Sequence, residues 1–432
     1  MNARLSFLIA LFAFFTTVLS QTTALSLVVD DIPTCAVDCL TTAIDASPCD
    51  KTDIKCVCTD FELQTYVKGC VLKTCPPKLG LSTLNTTMTV CNAPVRDQSH
   101  KFKVVNLSMG IVGPVWVGIR MIYKLTMTAY DIGADDYFII ATIVVGIPAT
   151  IINNNFTLQN GIGKDVWRLT FEQVTNFAQF LYVLSLIYYA ATGLLKMSLL
   201  AFYYRIFPGT RIRKVIIATI VFNVLRTVSF LLVAVFQCQP IKYYWHKWDG
   251  EHEGKCVNTN AMSWAHAAIS ISLDLWMLAI PLAQLVRLRL PWKKKLGVAL
   301  MFCVGTFVTI VSILRLQSLV YFANSVNPTW DQFDVINWST IEVNVGIICA
   351  CMPTIRVILV RLFPKILGST QNNTNQYLHK YGTGGPGRES KGPMSKGGFN
   401  NNQAIITYTK TFEVSRHDRE DSDEMGARAR VK

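Results

Sequence analysis

Eight cysteines fall between Cys35 and Cys91, and seven long apolar stretches follow them. The cysteines are Cys35, Cys39, Cys49, Cys56, Cys58, Cys70, Cys75 and Cys91. An even set at this density reads as a disulfide framework, which persists only in an oxidising compartment. Its pairing stays open, because eight cysteines allow about a hundred connectivities. The apolar stretches cannot be the core of a soluble domain. Only 16% of the chain is charged, against about 25% in ordinary globular domains, and the deficit is confined to residues 104–360. Together these features predict an all-α membrane protein. A seven-transmembrane helix bundle follows a small, disulfide-rich, helical extracellular domain.

Residues 1–20 read as a secretory signal peptide. Arg4 supplies the positive start, Leu5 to Leu19 the apolar run, and Val18 and Ser20 suit a cleavage site before Gln21. Residues 21–100 form the cysteine module, mildly acidic and helix-compatible at 36–46 and 59–69. Asn85-Thr86-Thr87 is a glycosylation sequon expected on a surface loop, and Asn155-Phe156-Thr157 is a second. The membrane domain is placed at 101–362. Its spans are expected at 104–123, 137–153, 179–203, 214–236, 263–286, 296–322 and 336–360, each near the roughly 20 apolar residues that cross a bilayer. Residues 363–432 read as a disordered cytoplasmic tail, Gly-, Asn- and Lys-rich around 382–402.

The net charge of +13 does not indicate nucleic-acid binding, because the basic residues gather at span ends and in the tail. Arg205, Arg211, Arg213 and Lys214 follow span three, Lys293, Lys294 and Lys295 follow span five, and Arg361 follows span seven. The loop after span six has no Lys or Arg, and the lysines after span four are offset by acidic residues. The positive-inside rule then places these basic loops in the cytoplasm and the amino terminus outside, in the plasma membrane.

The spacing Cys-x3-Cys-x9-Cys-x6-Cys-x-Cys-x11-Cys-x4-Cys-x15-Cys after Pro33-Thr34 resembles the CFEM module of fungal extracellular and membrane proteins. The membrane part resembles the fungal seven-helix receptor-like family often fused to it. The matching pieces are Asp135-Asp136-Tyr137, Gly161-Ile162-Gly163-Lys164, Lys196-Met197-Ser198, Phe202-Tyr203-Tyr204-Arg205-Ile206-Phe207, Cys238-Gln239-Pro240, Asp274 with Pro281, Leu290-Pro291, and Glu342 with Cys351-Met352-Pro353. The resemblance implies a receptor-like protein that senses a host, surface or nutrient cue. A heterotrimeric G protein is a candidate cytoplasmic partner. It also implies that Asp53, three residues before Cys56, sits where haem-binding CFEM members carry an axial iron ligand. A carboxylate is a hard donor that suits ferric iron. As an isolated residue, Asp53 reads as a helix cap or an exposed carboxylate.

Cys238 and Cys256 flank the loop after span four and are expected to pair. They would close a loop rich in Tyr243, Tyr244, Trp245 and Trp248, a candidate lid. Cys303, Cys349 and Cys351 read as packing residues within spans. Intramembrane charges are costly and functional by default. Matching depths predict two ion pairs, Arg226–Asp274 and Arg315–Glu342, while Lys196 is expected to snorkel near the cytoplasmic end. Span seven lacks a Schiff-base lysine. No phosphate loop, zinc motif or nucleophile elbow appears, so the chain does not read as an enzyme. Two rival readings remain. In one, Asp53 captures haem and the bundle is an anchor or relay. In the other, the buried charges line a transport path.

Overall fold

The computed structural model describes residues 32–50, 53–127, 132–286, 292–323 and 325–362, with side chains throughout except at 285–286 and 292–301. The expected signal peptide, the tail from residue 363 and the side chains of Lys293, Lys294 and Lys295 lie outside the described residues.

The cysteine module is helical, as expected. It comprises α1 (Thr34–Asp45), α2 (Ile54–Thr59), α3 (Phe61–Thr74) and α4 (Pro77–Val90). Cys39 and Ala43 on α1 lie four residues apart, as do Leu63, Val67 and Val71 on α3, so each set shares one helix face. The two faces bury each other in a small core. Disulfides join Cys35–Cys75, Cys39–Cys70, Cys49–Cys56 and Cys58–Cys91. Two of them lock α1 to α3, and one ties α2 to the end of α4. A core this small needs such constraint on the unfolded chain.

Seven helices follow: α5 (Ser99–Met127), α6 (Ala134–Ile152), α7 (Phe171–Ile206), α8 (Thr210–Val235), α10 (Thr259–Val286), α11 (Trp292–Ala323) and α12 (Pro328–Leu362). All are long and apolar enough to cross a membrane. Each starts before its expected span, because hydropathy marks the lipid-crossing part whereas capping residues set the helix end. Thr170 and Gln173 form a capping box at the start of α7, and Pro328 occupies the first turn of α12. Span two, weakened by Gly146 and Pro148, forms and then runs into a π-helical turn at Asn153–Thr157.

The long central helices α7 and α12 pack on each other. α5 packs on α6 and α12, α8 on α7, and α11 on α10 and α12. The seam between α8 and α10 carries a hydrogen bond from Trp276 Nε1 to Thr219 Oγ1 at 3.1 Å. Between α8 and α10, strands β1 (Cys238–Gln239) and β2 (Lys255–Cys256) pair antiparallel around the short helix α9 (Tyr243–His246). The expected Cys238–Cys256 disulfide closes this loop.

The module sits against two loops of the bundle. Leu84 of α4 joins Val166, Trp167 and Val174 in one buried cluster, with Trp248 packed against it. Lys78 pairs with Glu251 at 2.6 Å. Lys68 lies over the Trp167 ring at 5.7 Å, where burial and then the nearby Arg96 charge lower its pKa. Below this seat, Arg96 pairs with buried Asp165, which also accepts from Asn327 Nδ2 at 2.7 Å. Asn327 Oδ1 in turn accepts the Val166 N–H at 2.9 Å. Gly161 and Gly163 adopt φ of +97° and +75°, and the Gly163 carbonyl accepts the Gln98 N–H at 2.9 Å. A side chain at either glycine would strain that left-handed backbone. This knot fixes the start of α5, the loop before α7 and the start of α12 together.

Asp165→Ala removes the acceptor shared by Arg96 and Asn327. It is expected to cost about 1–3 kcal/mol, because a buried donor loses its partner. A lower midpoint in thermal unfolding of the detergent-solubilised protein would show this, and an unchanged midpoint would contradict it.

Candidate functional site

On the module side, the bundle holds a partly open cavity of about 230 Å³. α5, α6, α7, α10, α11 and α12 all contribute to its wall, and Tyr244 of α9 reaches it from above. The lining surface is mostly apolar, and Asn106, Asn153, Tyr188, Arg315, Gln332 and Asn344 are among its polar points. That mixture suits a small, partly apolar ligand held by a few directed hydrogen bonds. Tyr244 packs tilted and Trp245 edge-on against Tyr182 of α7, with ring centroids 5.3 and 5.9 Å apart. Of the four aromatic residues in the loop expected to act as a lid, Tyr244 lines the cavity. Burial, with Tyr189 and Tyr182 close by, pushes the Tyr244 hydroxyl up to about 12.

Arg315 and Glu342 come together near the cavity floor, as expected, but through an intermediary. Arg315 Nη1 donates to the Tyr188 hydroxyl at 2.7 Å, and that hydroxyl donates to Glu342 Oε2 at 2.8 Å. The direct Arg315–Glu342 separation is 3.9 Å. Ser339 and Ser312 take up Arg315 Nε and Glu342 Oε1. Beneath lies a second void of about 50 Å³, lined by Glu342, Lys196, Asp274 and Tyr203.

The expected Arg226–Asp274 pair does not form. Asp274 pairs instead with Lys196 of α7, which also donates to the Ser270 carbonyl. Arg226 Nη1 faces His266 Nε2 at 3.3 Å and Nη2 faces Asn223 Oδ1 at 3.4 Å. Helix α10 starts earlier than the expected span, so Asp274 lies deeper than its apparent depth. It sits about two turns beyond His266, level with Lys196 rather than Arg226. Lys196 does not snorkel, because a buried carboxylate meets it inside the bundle. His266 must present a lone pair at Nε2 to the guanidinium, which leaves its Nδ1 unpartnered, as is Arg226 Nε.

A third charged cluster was not anticipated from the sequence. At the end of the bundle away from the module, fully buried Arg120 holds both Asp135 and Asp136 and donates to the Ala350 carbonyl. Lys124 reaches Asp136 at 2.5 Å, and Arg205 approaches Asp135 at 3.7 Å. The available signal was Arg120 inside span one, facing the paired aspartates that open span two. Arg205, Arg211 and Lys214 are exposed at this end, and Arg213 stacks over Tyr204 at 4.9 Å.

Asp53 caps α2, its Oδ1 accepting the Cys56 N–H at 3.0 Å. It is exposed, and α2 buries none of its residues. The hard oxygen donor suits ferric iron, but a porphyrin also needs an apolar wall. Asp53 is engaged as a cap at the surface and not inside a pocket, while Phe61 and Tyr66, the large apolar groups that follow it, are exposed. The Asn85 sequon lies on an exposed face of α4 rather than in the expected loop, because the Pro76-Pro77 start and the Cys91 tether carry the helix through it. Asn155 is exposed in the π turn after α6.

Asp53→Ala is expected to cost about 1 kcal/mol as a lost cap, seen as a lower midpoint for module unfolding, with no change in Soret absorbance on adding ferric haem. For the buried pair, Lys196→Met alone strands a carboxylate and is expected to cost about 3–5 kcal/mol. Lys196→Met with Asp274→Leu recovers most of that loss. Additive losses in thermal unfolding would mean that the two charges do not interact.

A model of the fungal rhodopsin domain matches residues 119–361, and a model of the CFEM domain matches residues 28–92. The SAT4 family membrane protein of Emericella nidulans is 31% identical over 173 residues, covering 39% of this chain and 43% of that protein. Receptor GIN3 of Arthrobotrys oligospora is 25% identical over 200 residues, 46% of this chain and 48% of its own. The polyenoic acids biosynthesis gene cluster protein Ba17b of Metarhizium anisopliae is 26% identical over 262 residues, 58% of this chain and 71% of its own. The chain thus spans less than half the length of the first two. No solved structure matches. With over half of its length matched by one family model, the chain is a membrane protein of the fungal rhodopsin domain family, carrying a CFEM domain ahead of its seven helices.

Proposed function

We propose that this chain is a receptor-like protein of the plasma membrane, with its CFEM domain outside and its tail in the cytoplasm. A small cue occupies the cavity beneath the module, and the bundle passes its presence to the opposite end. The supporting observation is a set of three buried polar groups between the helices. They are Tyr188, Arg315 and Glu342 at the cavity floor, Lys196 and Asp274 beside the void that Glu342 also lines, and Arg120 with Asp135 and Asp136 at the opposite end. A ligand shifts such a bundle only by binding one arrangement of these groups better than another. Arg315 and Tyr188, already polarised by Glu342, are the groups whose pairing a ligand carboxylate or hydroxyl would rearrange.

On this reading the chain binds and relays without turning anything over. Its exposed basic end, with Arg205, Arg211 and Lys214, meets the anionic leaflet and an acidic signalling partner, for which a heterotrimeric G protein is the candidate. The name of receptor GIN3 agrees with this reading.

The reading requires coupling between cavity floor and opposite end. Glu342→Gln keeps a hydrogen-bond acceptor but removes the charge. It is expected to raise amide hydrogen exchange about tenfold at the end of α7 and the turn to α8, as a coupling of about 1–2 kcal/mol would. Unchanged exchange there, with faster exchange only around Tyr188 and Arg315, would mean that the floor does not communicate with the far end.

A further inference from the structure

The loop between α8 and α10 does more than place Tyr244 on the cavity. His246 ends α9, Asp249 follows Trp248, and Gly250 turns the chain at φ +69°. That turn lets the Glu251 N–H reach Asp249 Oδ1 at 2.9 Å and brings His252 back over the carboxylate. His252 Nδ1 lies 3.1 and 3.2 Å from the two Asp249 oxygens. The His246 and His252 rings stack with centroids 4.5 Å apart and planes 29° apart. One donor atom from each of the three residues lies within 4.8 Å of the others. Asp249 is buried, whereas half of the His252 side chain is exposed.

We propose that His246, Asp249 and His252 form a binding site for a divalent transition metal of the zinc class. Two imidazole nitrogens, which are borderline donors, joined by one hard carboxylate oxygen favour zinc, copper or nickel over calcium or magnesium, which take oxygen ligands throughout. Tetrahedral zinc with bonds of about 2.0–2.1 Å sets its donors about 3.4 Å apart. The Asp249–His252 contact is already near that spacing, and His246 closes the remainder by a small ring movement. The exposed side of His252 leaves the fourth position to water. The His-x2-Asp-x2-His spacing matches no familiar zinc motif, which is why the sequence did not reveal it. The Gly250 turn and the Cys238–Cys256 closure assemble it.

The ligands share their loop with the groups that hold the module. Trp248 donates from Nε1 to Thr175 Oγ1 at 3.1 Å and packs beside Leu84, while Glu251 pairs with Lys78. Tyr244, at the other end of α9, lines the cavity. A metal clasping this loop therefore stiffens the module seat and the Tyr244 side of the cavity together. The site stands independently of the receptor reading.

The test uses the full chain in nanodiscs, with any affinity tag removed and metal stripped by a chelator. Zinc chloride is titrated in competition with a chromophoric chelator, and cobalt(II) serves as a spectroscopic probe. Wild type is expected to bind one zinc per chain and to give the visible absorption of low-symmetry cobalt. His252→Ala is expected to weaken binding at least about tenfold, and His246→Ala with His252→Ala to abolish both signals. Zinc raises the melting temperature of wild type and leaves that of the double variant unchanged. Should the double variant fail to fold, half-exposed His252→Gln carries the same comparison. No zinc uptake by wild type, or equal uptake by wild type and a folded variant, overturns the proposal.

Discussion

A charged side chain in hydrocarbon has no water to fall back on, so it must find its counter-charge within the bundle. That constraint organises the interior of this protein. Lys196 meets Asp274, Arg315 meets Glu342 through Tyr188, and Arg120 meets Asp135 and Asp136. Each pairing joins different helices, so the charges act as cross-links between elements whose apolar faces alone have little preference for one neighbour over another. The central position of α7 and α12 follows from the same need. Between them they supply Lys196, Tyr188 and Glu342, and the Ala350 carbonyl that completes Arg120.

The pairing is not balanced. In the middle of the bundle Arg226, Lys196 and Arg315 face only Asp274 and Glu342 among the described residues. Arg226 rests on His266 and Asn223, neutral groups that accept hydrogen bonds without cancelling charge. Tyr189 and Phe230 enclose the His266 ring, with centroids 4.4 and 5.0 Å away. A guanidinium held this way favours negative charge nearby, which gives the adjoining interior a bias toward anionic or strongly dipolar guests.

Much of this was legible in the sequence, because its signals are local. Cysteine density announced the stapled module, apolar runs announced all seven helices, and Cys238 with Cys256 announced the closed loop. The Arg315–Glu342 partnership survived because both residues lie at similar depth on neighbouring helices. The Arg226–Asp274 pairing failed on the same reasoning, since hydropathy does not mark where α10 begins and a few residues of error shift a side chain by more than a turn. Lys196 read as a snorkelling residue because nothing local says that a carboxylate three helices later will face it. The Arg96–Asp165–Asn327 knot and the His246–Asp249–His252 cluster were invisible for a related reason. Each is assembled by turns whose geometry depends on tertiary packing, not on the periodicity of a run.

The link between module and bundle is short. Helix α4 ends at Val90 and α5 begins at Ser99, with Arg96 and Asp97 already engaged by the bundle. A domain held on so brief a tether experiences its docking surface at an effective concentration of order millimolar or above. Individually weak contacts such as Lys78–Glu251 then suffice to keep it seated, and a module that lifts away re-docks faster than a free partner of similar affinity could arrive. Anything that competes for the seat from solution must exceed that local concentration, whereas a group that slips beneath a momentarily raised module need only slow its return.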